Sequence, residues 1–401
     1  MKASSCALLL CAQCMAGAAQ AGDLLISGFG TIGIEKTNTD QAQFVRYNQA
    51  KGVTTTPGFG TDTNLGLQAN YSFNDQLSAT VQVLTRLNTS TRFTPGLTWA
   101  FLKARLSDDL ELRVGRTAIP IFMISDVQQV GFANTMMRPP IELYGQAPLE
   151  SADGADLLYQ HTFGATTVSG QLGIGSSSGK LFVPAGGGAI ANYRAPLATL
   201  SLSAEHGPFM LRLMHLRTRF NSTNFAPLNS VVNAVTSLGL PQLGQDLSLV
   251  GGKRISFSAV GLNLNWRKLL VQAEFGRRRN GEPVYIPEND AWYAMIAYRS
   301  GKWLPYYSHA DVRQTGVSVM LPPAFPAAGP LHDAVVTGFL TLAQQTTNAI
   351  GVRWNVAESA SFKLQVDRIR PKTKSGALIF GPAGGLHRPI TAVGVTLDYT
   401  F

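Results

Sequence analysis

Three residue patterns in this chain could, by type and spacing, do chemistry. Gly28-x-Gly30-x-x-Gly33 has the spacing of a loop that cradles a dinucleotide pyrophosphate. That role needs a strand before the glycines and a helix after them. Here they lie inside an apolar segment with strand character, where small residues in a strand are the plainer reading. Gly175-x-Ser177-x-Gly179 matches a nucleophile elbow, but it runs through a Ser/Gly stretch entering a loop rather than a strand-to-helix turn. The histidines His161, His206, His215, His309, His332 and His387 form no H-E-x-x-H or other close pair, so no metal site and no cofactor is expected. A lipid hydrolase working on an outer surface would need a Ser/His pair. His215 is the candidate, and the sequence places no serine beside it. An enzyme is therefore not expected.

What remains is charge, and it is scarce. Charged residues make up 14% of the 401 residues against 45% hydrophobic. Soluble domains average about 25% charged. The apolar content excludes disorder. The 33 basic and 24 acidic residues leave a net +9, which permits nucleic acid, anionic surfaces or anionic solutes as partners without choosing among them.

The first segment indicates where such a chain resides. Lys2, the apolar run through Ala7, Leu8, Leu9 and Leu10, and Ala19-Gln20-Ala21 read as a secretory signal peptide over residues 1–21. Cys6, Cys11 and Cys14 all fall within it, so the remaining 380 residues (401 minus 21) contain no cysteine. Stability must come from a large core or from closed hydrogen bonding in a membrane. Beyond residue 21 no stretch approaches the ~18 consecutive apolar residues of a transmembrane helix.

Alternation recurs instead. Val393, Val395, Leu397, Tyr399 and Phe401 share one face of a strand, opposite Gly394, Thr396, Asp398 and Thr400. The same period sets Phe362, Leu364 and Val366 against Lys363, Gln365 and Asp367, and Leu77, Ala79, Val81 and Val83 against Ser78, Thr80 and Gln82. Sixteen strands are predicted, near 24–34, 61–73, 76–88, 95–107, 110–117, 154–162, 166–176, 196–206, 208–220, 254–266, 269–279, 290–300, 302–314, 345–355, 360–370 and 388–401. Their connections alternate short and long. Asn74-Asp75, Asp108-Asp109, Gly164, Gly207, Arg267-Lys268, Gly301 and Ala357-Glu358 are short; 35–60, 118–153, 221–253 and 315–344 are among the long. Outer-membrane barrels sort their loops in this way, with short periplasmic turns and long extracellular loops. Residues 228–240 predict a short helix, and the prolines at 322, 323, 326 and 330 predict an irregular seventh loop.

The chain thus resembles the sixteen-stranded porins of the Gram-negative outer membrane over residues 22–401. The most specific local mark is the terminal Phe401 with Tyr399 and Leu397 at alternate positions. In that family the terminal aromatic strand signals to the barrel assembly machinery. A second mark is the long third loop, 118–153, with Arg138-Pro139-Pro140-Ile141-Glu142-Leu143-Tyr144-Gly145. It resembles the porin loop that folds into the lumen and constricts it, with Ile141 and Leu143 inserted into the usual Pro-Glu-aromatic-Gly turn. The resemblance implies an all-β, transmembrane, antiparallel up-and-down barrel, a homotrimer, and an aqueous channel for small hydrophilic solutes and ions.

Strand parity assigns the charges of such a barrel. Arg86, Lys103, Arg105, Glu111 and Arg113 face inward, so the bases form one wall patch. The third loop offers Asp126, Arg138, Glu142, Glu150 and Asp153 as constriction and counter-charge residues. Arg277, Arg279, Arg368 and Arg370 fall on the lipid-side parity at the long-loop ends, where anionic lipid headgroups, including lipopolysaccharide, explain them. The expectation is passive diffusion with anion preference; a channel selective for small organic anions, an outer-membrane hydrolase and a surface adhesin are the alternatives. Nucleic acid is not an expected partner.

Overall fold

Lipid offers no partner for backbone N–H and C=O groups, so strands cross it only where every edge is paired. The computed structural model, which describes residues 23–183, 188–373, 386 and 388–401, meets this requirement with a closed sixteen-stranded antiparallel barrel. In chain order the strands are β1 (Asp23–Thr37), β2 (Asn64–Ser72), β3 (Leu77–Leu87), β4 (Phe93–Arg105), β5 (Leu110–Ala118), β6 (Ser151–Phe163), β7 (Thr166–Val183) and β8 (Ala189–His206). They continue with β9 (Phe209–Phe220), β10 (Lys253–Trp266), β11 (Leu269–Asn280), β12 (Glu288–Tyr298), β13 (Trp303–Gly316), β14 (Gln345–Ala357), β15 (Ala360–Pro371) and β16 (Ile390–Thr400). Each pairs with its chain neighbours, and β1 closes on β16 from Phe29↔Thr400 to Thr37↔Ala392. Strands β7 and β8 run past the expected ends, pairing up to Val183↔Ala189. Residues 1–21 and most of the last long loop lie outside the described residues.

Parity sorts the two faces. Leu172, Ile174, Leu211, Leu213 and Ile350 point out and are exposed, as a lipid-facing surface must be. Among the described residues, no helix is long and apolar enough to cross a membrane.

The seam between β1 and β16 explains the glycine pattern at its start. Gly28 and Gly30 leave room for the rings of Phe401 and Tyr399, which stack at 6.1 Å and 14° on the outer face. A Cβ on Gly30 would stand 2.5 Å from Tyr399 Cζ. Gly30→Val is therefore expected to weaken the closing seam by roughly 1–3 kcal/mol through overpacking. Refolding into detergent, followed by the heat-dependent band shift on a gel, checks this. A wild-type folded yield would contradict it.

The barrel interior is not uniformly polar. Inward residues of β8–β13, among them Leu197, Met214, Leu216, Phe257, Tyr293, Met295, Tyr306 and Val312, are buried against Ile121, Phe122, Leu143 and Tyr144 of the third loop. A second apolar cluster lies among the long loops. Helices α2 (Ala226–Ser237) and α3 (Pro241–Leu247) pack Leu228, Val235 and Leu247 with Val284, Val319, Val335 and Phe339. Contrary to expectation, the seventh loop is regular at its end. Pro330 opens the short helix α4 (Pro330–Asp333), where its missing N–H costs nothing, and a π-helical turn follows over Ala334–Leu340.

Candidate functional site

The third loop begins after Ala118 and ends before Ser151, slightly inside its expected bounds. Short of a turn at Gly131–Ala133 and the one-turn helix α1 (Ile141–Tyr144), it has no internal ladder to satisfy its backbone. A buried segment must find partners elsewhere. The barrel wall supplies them. Lys363 Nζ donates to the carbonyls of Gly131 at 2.7 Å and Met136 at 3.1 Å. Arg353 donates to Asn134 O at 3.0 Å, Arg278 to Gln146 O at 2.9 Å and Arg212 to Met123 O at 3.1 Å. In return Glu274 accepts the Met123 N–H at 2.8 Å and the Tyr144 hydroxyl at 3.0 Å. Inward bases and acids from β9, β11, β14 and β15 thus hold the loop inside the barrel. Their inward parity is legible in sequence; the carbonyls they serve are not.

Arg138 is the tightest anchor. Its Nε and Nη2 reach Asp62 at 3.0 and 2.7 Å, and Nη1 reaches Asp367 at 2.8 Å. It also pairs with Glu35, and its guanidinium lies 4.9 Å from the centre of the Phe44 ring. All four charged groups are buried. Lys363 and Asp398 form an adjoining pair at 3.1 Å, with Thr31 donating to Asp398 at 2.7 Å.

The opposite wall, β2–β6, carries the residues expected to line a passage. Asn70, Thr80, Gln82, Gln68 and Thr98 form a hydrogen-bonded polar lattice. Arg86 faces inward and pairs with Glu150 at 2.5 Å; Glu150 also accepts from Tyr47 and from Gln129 at 3.1 Å. Lys103 pairs with Glu111 at 3.2 Å, and Arg113 grips Asp156 through two bonds of 2.8 and 2.7 Å. Arg105 has no ion-pair partner among the described residues.

The loop acids do not face the basic wall as a separated row. Glu142 points away from it and is buried against β14, accepting from Gln345 at 2.5 Å and from Thr347. Burial raises its carboxyl above the ordinary range, only partly offset by those two donors. Arg138 sits in the carboxylate cluster behind the loop. Asp153 belongs to β6, not to the loop; the outward parity it shares with the exposed Leu157 and Tyr159 turns it from the lumen to pair with Arg116 at 2.7 Å. Asp126 alone of the expected counter-charges is exposed and without an ion-pair partner among the described residues. The anticipated field between wall and loop is therefore mostly short-circuited by direct pairing.

Glu150 gives a pH signature. Burial pushes its carboxyl up, but the Arg86 charge and the bonds from Arg86 and Tyr47 outweigh that and hold it below its ordinary 4.5. Its contribution to stability is present above pH 4.5 and is lost as pH falls through the lower folded value. Amide exchange at residues flanking Glu150 should therefore accelerate in acid below that point, and Glu150→Gln should remove the acid dependence. Equal acid sensitivity in both proteins would contradict the assignment.

The outer face holds two further arrangements. Ser258 Oγ lies 2.8 Å from His215 Nδ1, the serine partner that sequence could not place because it depends on β9–β10 register. Arg217 Nε donates to His215 Nε2 at 3.2 Å, so that nitrogen accepts and Nδ1–H faces the serine. The imidazole then donates to Ser258 rather than deprotonating it. Near the long-loop end, Asp290 gathers Arg277 at 2.9 Å, Arg279 at 3.1 Å and Arg313 at 3.8 Å on the outward face. Arg368 and Arg370 are exposed on the outward parity of β15.

Solved structures share this architecture. An outer-membrane OmpT of Vibrio cholerae aligns with a TM-score of 0.54 at 13% identity, covering 96% of this chain and 99% of its own. The anion-selective porin of Comamonas acidovorans aligns at 0.55 and 12%, covering 95% and 100%. The outer-membrane channel DcaP of Acinetobacter baumannii aligns at 0.54 and 10%, covering 95% and 98%. No protein-family model matches the sequence, and no curated protein matches it. At these identities the likeness is one of fold: the chain has the sixteen-stranded barrel of the porins.

Proposed function

We propose that this chain, built on the porin fold, is a passive diffusion channel of the Gram-negative outer membrane. The observation that carries this reading is the division of the lumen. One half, along β8–β13, is packed by the third loop, while the β2–β6 wall carries inward polar and charged groups, of which the Lys103–Glu111 pair stays 38% and 28% exposed. Sixteen strands enclose more space than wall side chains fill, and a loop across that space restricts what passes. Residues 1–21 direct export, and the outward Phe401, Tyr399 and Leu397 present the strand that the barrel assembly machinery engages. A homotrimer and outer-leaflet lipid, including lipopolysaccharide at the arginine cluster around Asp290, complete the setting. No covalent chemistry is involved: the Ser258–His215 pair points the wrong proton at the serine.

Arg86, Lys103 and Arg113 are balanced by Glu150, Glu111 and Asp156. The anion preference rests on position: Arg105 and Arg212 lie inward on the wall, against Asp108 in a short turn and Asp126 on the third loop. The bias is therefore modest. Swelling of liposomes in sugars of increasing size tests diffusion: rates that fall smoothly with size support it, and impermeability to all of them rejects it. A reversal potential in a KCl gradient should take the anion sign while staying well short of ideal; a cation sign would reject the charge assignment.

A further inference from the structure

Beneath the start of the third loop, toward the short-turn end, the barrel wall opens into a cavity of about 680 Å³. That volume lies in the range of sites for small ligands. Its inward residues come from consecutive strands β4–β9: Arg105, Gln160, Gln171, Ser201, Ser203 and Arg212. The hydrogen-bonding groups they leave free are a guanidinium donor, a hydroxyl donor and an amide acceptor. Arg212 uses Nε on Ser201 Oγ at 2.9 Å and Nη1 on Met123 O at 3.1 Å, which leaves Nη2 uncommitted among the described residues. Ser201 accepts from Arg212, so its own O–H is available to donate. Gln171 spends its amide N–H on Asp156 at 2.9 Å and keeps its oxygen as an acceptor. Acids also line the cavity, but Glu111 is held by Lys103 and Asp109 by His161; only Asp108, in the turn, is unpaired among the described residues.

We propose that this cavity is a binding site for small polyhydroxylated carboxylates, with Arg212 on β9 taking the carboxylate, its neighbours Ser201 on β8 and Gln171 on β7 taking the hydroxyls, and Arg105, five strands away on β4, adding positive charge that draws the anion in. The proposal rests on the channel reading and names the solute class that the channel retains in transit. Planar guanidinium donors match a carboxylate, and short hydroxyl and amide groups match a polyol chain. Neither group alone gives that combination. A simple carboxylate leaves the hydroxyl-binding groups without ligand partners, and a neutral polyol leaves both guanidiniums without an anion.

The test uses the full-length folded protein. In planar bilayers with KCl, gluconate should block chloride current saturably, while propionate and glucitol should block at least about tenfold more weakly. Arg105→Gln, at a residue that touches no part of the loop, should raise the half-blocking concentration about threefold by removing the attracting charge. Ser201→Ala should weaken gluconate block more than propionate block, since it removes a hydroxyl partner as well as the acceptor that holds Arg212. Calorimetric titration of gluconate into the detergent-solubilised protein reads the same site without conductance. Unsaturable gluconate effects, equal block by glucitol, or unaltered block in Arg105→Gln overturns the site while leaving the channel reading intact. Absence of conductance overturns the channel reading, and the calorimetric titration then decides the site by itself.

Discussion

Replacing Arg138 with methionine is expected to loosen the third loop and destabilise the whole barrel. The side chain is enclosed by Glu35, Asp62 and Asp367, and none of these carboxylates has solvent to turn to. Arg46 still reaches Asp62 at 3.7 Å, so removing the shared cation leaves Glu35 and Asp367 as buried acids without one. Breaking one buried pair costs about 3–5 kcal/mol because the remaining charge is uncompensated. Two acids stripped of their cation put this substitution at the upper end of that range. Arg138→Met should lower the denaturant midpoint and broaden single-channel current levels. Pairing it with Glu35→Gln and Asp367→Asn should recover much of the loss, since Asp62, the acid that remains, keeps Arg46. A single variant that unfolds with wild-type behaviour would show that the cluster does not hold the loop.

The second large effect lies at the apolar end of the same loop. Tyr144 is buried, stacks on Phe122 at 4.3 Å, approaches Tyr293 at 6.3 Å, and donates its hydroxyl to Glu274. Tyr144→Ala should cost about 3–5 kcal/mol as a large-to-small change in a packed core. Tyr144→Phe keeps the ring and removes only the donor to Glu274, so its cost should be nearer 1–3 kcal/mol. Because this ring holds α1 to the wall, the alanine variant should also raise conductance, and the phenylalanine variant should do so much less. Equal stability and conductance in all three proteins would contradict the packing role.

Much of the barrel was legible because period-two alternation and loop-length asymmetry are strong signals in β1–β5, β14, β15 and β16. Inward parity for Arg86, Lys103 and Arg113 follows from the same alternation. The interior of β10, β12 and β13 was not legible. There both faces are apolar, as with Phe257 and Ala259 inward and Val260 and Leu262 outward, and alternation cannot tell lipid from a packed lumen. The partners of the loop were hidden for a different reason. Arg138 meets Asp62 and Asp367 across separations of 76 and 229 residues, and the pairing of Ser258 with His215 depends on cross-strand register. Asp153 was misplaced because β6 begins earlier than its alternation suggests, which moves the residue from loop to outer wall.

The central claim is that a solvated passage persists beside the packed loop. Single-channel recording of the purified, folded wild-type protein in a planar bilayer tests it most directly. The account predicts discrete conductance steps that scale with salt concentration. Folded protein that inserts into the bilayer and gives no steps would mean that the loop seals the barrel, and the channel reading would fail.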